Sequence, residues 1–94
     1  MFDYNNLQYN EEGIALIPAA HPALAGWTWK HYDDAEGLIV GPNDEQCFEY
    51  DLCPYYGQKV EYRDITDGHW SVYDGGIEDF VAWAEDRLAR TLAK

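Results

Sequence analysis

Residues 76–94 constrain this chain more than any other stretch, because no other segment is both long and periodic enough to require a helix. With Ile77 as origin and about 100° per residue, Phe80, Val81, Ala84, Leu88 and Leu92 fall within roughly 60° of it, forming one apolar stripe. Such a stripe needs a surface to cover. Asp74, Gly75 and Gly76 form a turn-like entrance, Glu78 and Asp79 occupy the first turn, and Arg87, Arg90 and Lys94 load the last turns. Acids at the start and bases at the end suit the helix macrodipole.

The surface to be covered is written upstream as short alternating runs separated by polar turns. Ile14 to Ile17 reads as a buried strand stopped by Pro18, and Ala19 to Gly26 as a crossing loop with one helical turn near Pro22 to Ala25. Trp27, Trp29 and His31 alternate with Thr28, Lys30 and Tyr32, as a half-buried strand requires. Asp33 to Gly37 then makes an acidic hairpin turn before the strand Leu38 to Val40, which Gly41 to Asp44 ends. In the run Cys47 to Leu52, Phe48, Tyr50 and Leu52 share a face opposite Cys47, Glu49 and Asp51. Gln58 to Ile65 sets Val60 and Tyr62 against Glu61, Arg63 and Ile65, and Trp70 and Val72 oppose Ser71 and Tyr73. Thr66, Asp67 and Gly68 mark a tight hairpin between these last two runs. Phe2 to Tyr9 alternates loosely, as a short edge strand or an ordered arm.

Short turns without intervening helices specify a meander rather than crossover units. The expected fold is therefore α+β, an antiparallel sheet of about five strands packed on one face by a C-terminal α-helix. Ninety-four residues suffice for a single core, so 1–94 reads as one domain.

Charge narrows the possible partners. With 18 acids against 6 bases the formal charge is −12, and residues 1–75 carry −11 of it. That field repels nucleic acid and anionic lipid and favours solubility. The opening Met1, Phe2, Asp3 and Tyr4 lack a basic region followed by an apolar run, and Cys47 and Cys53 match no common zinc or redox spacing. The expectation is a cytoplasmic protein with free thiols, no metal and no cofactor.

No nucleophile, base and anion-stabilising group can be assembled from the motifs present, so an enzyme is not expected. Asp64 to Asp74 lacks the ligand spacing of a calcium loop. His21, His31 and His69 form no paired ligand motif. Glu49 and Asp51, about 7 Å apart on one strand face, meet the separation of paired carboxylates but carry no other hydrolase signature.

Two features point to binding. Acids cluster at hairpin ends, including Asp33, Asp34 and Glu36, where solvation and turn geometry also favour them. The 15 aromatic residues exceed the ordinary need of one small core. Trp83 lies about 120° from Ile77, outside the stripe, with Arg87 one turn on; it either packs at the sheet margin beneath Arg87 or anchors an interface. Tyr55 and Tyr56 sit together in a loop. These residues suggest a non-enzymatic module that engages a protein partner, plausibly basic or nucleic-acid-binding, as an inhibitor or regulator. Binding would proceed by electrostatic steering, then locking through Trp83, Arg87, Tyr55 and Tyr56. The alternative is a pocket of Trp27, Trp29 and Tyr32 for an apolar or cationic compound, with Glu49 as counter-ion. Homodimerisation through an uncovered sheet face or edge strand is compatible with either reading.

Overall fold

A computed structural model describes residues 7–32, 36–52, 59–64 and 68–93. Six strands and one long helix follow in order: β1 Ile14–Pro18, β2 Thr28–Tyr32, β3 Glu36–Val40, β4 Gln46–Leu52, β5 Val60–Asp64, β6 Trp70–Tyr73 and α1 Ile77–Leu92. A short 3-10 helix, Pro22–Leu24, joins β1 to β2. Each strand pairs antiparallel with the next in sequence, so the sheet order is β1-β2-β3-β4-β5-β6, a six-stranded meander rather than about five.

The alternation in the sequence sets the two faces. Ile17, Trp29 and Ile39 lie in register across β1, β2 and β3, and Leu52, Val60 and Tyr73 across β4, β5 and β6, all on the face that α1 covers. Trp29, Ile39, Val60 and Phe80 are fully buried there, joined by Leu24, Trp27, Phe48, Tyr50, Val81, Ala84, Leu88 and Ala89. This inner face is rich in rings. Phe80 of α1 makes edge contacts with Trp29, Tyr50 and Tyr73 at centroid separations of 6.2, 5.7 and 5.7 Å, within the range at which aromatic pairs attract.

Two local features hold the hairpins in register. Gly37 lies opposite Tyr50, whose ring occupies the space where a Cβ on residue 37 would stand. The β3–β4 turn closes through Gly41 N–H to the Glu45 carbonyl at 2.8 Å, with Asp44 in the left-handed region at φ 65°. A register irregularity between Leu38 and Val40 lies beside that turn.

The buried arc of α1 is displaced from the stripe expected of it. Phe80, Val81, Ala84 and Leu88 are interior as their spacing requires, but so are Glu85 and Ala89, while Leu92 is 51% exposed. The structured segment 7–10 contains no strand, although Leu7 packs against the core. Of the expected turn Asp33 to Gly37, positions 33–35 lie outside the described residues, whereas Glu36 and Gly37 belong to β3 because they pair with Asp51 and Tyr50 of β4. Positions 66 and 67 of the expected Thr66 to Gly68 turn, and most of the expected edge strand near the N-terminus, also lie outside the described residues.

Candidate functional site

Because α1 covers one face of the sheet, the other is left without any described element over it. Strand register places the outer residues in rows that cross the sheet. One row is Leu16, Lys30, Leu38, Glu49, Arg63 and Trp70, each the Cα partner of the next. A neighbouring row is Glu36, Asp51, Glu61 and Val72. Leu16, Trp70 and Val72 are all at least half exposed.

The first row carries two bases, Lys30 and Arg63, against one acid, Glu49. Arg63 forms an ion pair with Glu49, and its guanidinium lies 5.3 Å from the Trp70 ring centroid. The second row holds acids alone among its charged residues. Asp51 stands directly between Glu36 and Glu61, and neither Asp51 nor Glu61 makes an ion pair among the described residues. Like charges opposite one another across antiparallel strands destabilise a sheet by about 0.2–1 kcal/mol. Asp51 and Glu61 form such a pair.

A cleft lies on the helix side. Ile17, Pro18, Trp29, Val81 and Ala82 line a cleft of about 580 Å³ together with Ala20 and His21, and Glu78, Asp79 and Glu85 contribute carboxylates. Glu85 is only 4% exposed and already committed. Its Oε1 accepts from the Ala20 and His21 backbone N–H groups at 3.0 and 2.9 Å, and its Oε2 from the Trp29 indole N–H at 2.7 Å. The Nδ1 of His21 accepts from Ala23 N–H at 3.1 Å. Glu85 thus ties the 3-10 segment to α1 and β2.

The residues singled out from the sequence are dispersed. Trp83 is half-buried, its ring 5.1 Å from Tyr62, 5.4 Å from Tyr73 and 6.3 Å from Phe48, with Arg87 lying over it at 5.3 Å. That is the sheet-margin packing considered above, with Arg87 itself exposed. Glu36 is exposed at the start of β3, while Asp33, Asp34, Tyr55 and Tyr56 lie outside the described residues. The four residues of the alternative pocket are not brought together. Trp27 and Trp29 are buried on the helix side, whereas Tyr32 and Glu49 are on the outer face.

Sequence reasoning missed Glu85 and the carboxylate row. Glu85 stands about 80° from Ile77 on the helical wheel, just beyond the stripe, where an acid reads as solvated. The available signal was Trp29, since a buried indole N–H needs an acceptor. Cys47 is half-buried, and burial first, then Asp64 and Glu45, push its thiol above the ordinary value of 9.0, which makes it a poor nucleophile near neutral pH. Among the described residues no three His, Cys, Asp or Glu side chains converge as metal ligands, and no helix is long and apolar enough to cross a membrane. Compared with protein-family models, curated proteins and solved structures, the chain matches none.

Proposed function

We propose that this protein is a non-enzymatic binding module that engages a basic protein partner, acting as an inhibitor or regulator. The observation that carries the reading is the uncovered sheet face, where a cross-strand row of carboxylates adjoins the exposed side chains of Trp70 and Val72. Exposed apolar and aromatic groups beside a row of carboxylates suit recognition better than they suit a free surface. The net charge of −12 adds long-range steering toward a cation.

The test is capture of partners from the native host at low salt, followed by affinity measurement with the purified partner. Between ionic strengths of about 0.01 and 1 M the Debye length falls from about 30 to 3 Å, so affinity is expected to drop by more than tenfold. Equal affinity at both salts overturns the reading.

The cleft beside Trp29 supports a second reading, a site for a cationic compound with an apolar body. Its apolar floor of Ile17, Pro18 and Val81 and its rim of Glu78 and Asp79 supply the complementary chemistry. A cationic aromatic compound that raises the melting temperature of the protein but not of Glu78→Gln/Asp79→Asn supports it; no rise refutes it.

A further inference from the structure

We infer that the cleft beside Trp29 binds a linear aliphatic diamine, with one ammonium group at Glu85, the other at Glu78 and Asp79, and the methylene chain between them over Val81 and Ala82. This rests on the reading of the cleft as a site for a cationic compound with an apolar body. It adds the number of charges, their separation and the shape of that body.

The separation comes from the helix. Glu78 and Glu85 stand seven residues apart, so their positions lie about 10 Å apart along α1 and within about 20° of one another around it. Val81 and Ala82 fall between them on the same side, about 60° and 40° from Glu78. Read along its length, the helix wall of the cleft is acid, apolar, acid, and Asp79 adds a second charge at one end. Ile17 and Pro18, at the end of β1, line it from the sheet side with apolar surface. A ligand with a single charge leaves one end of this pattern unanswered.

The cleft holds no cation of its own. No lysine or arginine lines it, and among the described residues none of its three acids makes an ion pair. His21 adds no charge, because an Nδ1 that accepts from the Ala23 N–H holds no proton. The N-terminus of α1 offsets only about half of one charge. Glu85 accepts three hydrogen bonds, all from neutral N–H groups, whereas a carboxylate offers about four acceptor positions. Two of the three fall on Oε1 and one on Oε2, so Oε2 keeps a place for a further donor. The one indole in the wall, Trp29, is fully buried, so carboxylates rather than a ring face meet the cation. An ammonium group with three N–H donors suits both ends.

The experiment titrates the whole, isotope-labelled chain with diaminoheptane at constant ionic strength and follows amide chemical shifts. Heptylamine carries one charge on the same chain, diaminopropane two charges too close together, and heptanediol none. Shifts are expected at residues 17–21 and 78–85, with diaminoheptane bound about fivefold tighter than heptylamine or diaminopropane and heptanediol not bound. Glu78→Gln/Asp79→Asn should bring diaminoheptane down to the affinity of heptylamine. Ala82→Phe, at an exposed helix position, should fill the middle of the cleft and weaken both amines while the melting temperature stays level. Equal affinity for diaminoheptane and heptylamine, binding of heptanediol, undiminished binding by either variant, or shifts centred on Glu36, Asp51 and Glu61 overturn the inference. If the amines produce no shifts but a cationic aromatic compound still raises the melting temperature through Glu78 and Asp79, the diamine assignment fails and the reading of the cleft survives. If neither class of compound acts, that reading falls as well.

Discussion

The carboxylate of Glu85 accepts a 2.7 Å hydrogen bond from the buried indole N–H of Trp29, joining the middle of α1 to the centre of β2 across the core. The same carboxylate holds the two backbone N–H groups that open the 3-10 segment. One side chain therefore fixes how the helix, the sheet and the crossing loop meet. A carboxylate carrying three N–H donors is well satisfied, but each donor depends on it.

Glu85→Ala should accordingly cost about 3 kcal/mol or more, because it strands an indole N–H and two amide N–H groups. Glu85→Gln keeps one acceptor oxygen and turns an amide toward a donor, and should cost about 1–2 kcal/mol. Urea unfolding of the three proteins checks the order. For a domain of this size the larger loss is a substantial part of the total stability of about 5–15 kcal/mol. A neutral Glu85→Ala would show that the clamp contributes nothing.

Gly37→Ala tests the hairpin contact between β3 and β4. The added Cβ falls within the Tyr50 ring, so the ring must move from a core where it also touches Trp29 and Phe80. Loss of about 1–3 kcal/mol is expected. Shrinking Tyr50 to leucine should reduce the penalty of the glycine change, a coupling that a double-mutant cycle measures.

Trp83→Ala separates packing from recognition. The indole contacts Phe48, Tyr62, Tyr73 and Phe80, so truncation should cost about 2–3 kcal/mol by thermal or urea unfolding. Arg87→Ala removes only an exposed guanidinium from above the ring and should cost about 0.5 kcal/mol. A stability loss for Trp83→Ala below that of Arg87→Ala would mean that the ring is not part of the core.

Cys47 offers a pH test. Burial and the nearby Asp64 and Glu45 disfavour its thiolate, so its alkylation in the folded state should begin at a more alkaline pH than that of a free thiol. The folded state then holds the proton longer than the unfolded one. The sign follows: stability is unaffected below the unfolded thiol pKa and declines as pH rises from there toward the folded value. Asp64→Asn should move the alkylation profile back toward lower pH.

Much of the architecture was legible because it is recorded at short range. The alternation of Trp27, Trp29 and His31 with Thr28, Lys30 and Tyr32, and of Phe48, Tyr50 and Leu52 with Glu49 and Asp51, assigned the inner and outer faces observed. The helix limits were nearly as clear, with Gly76 at the N-cap and Ile77 as the first helical residue. Trp83 was harder. Its angular position left packing and exposure both open, and only the rings of β4, β5 and β6 beneath it account for its half-burial.

By itself the sequence determined an antiparallel meander roofed by one helix of known polarity, since period-two and period-3.6 patterns are properties of neighbouring residues. The tertiary structure decided which distant residues share a place. It put Glu85 against Trp29 across 56 positions of chain, placed Tyr32 and Glu49 on the opposite side of the sheet from Trp29, and aligned Glu36, Asp51 and Glu61 in one row. Register between strands depends on turn lengths, the irregularity near Ile39 and the fit of α1 on the inner face, and shifting it by a single residue would send each carboxylate of that row to the other side.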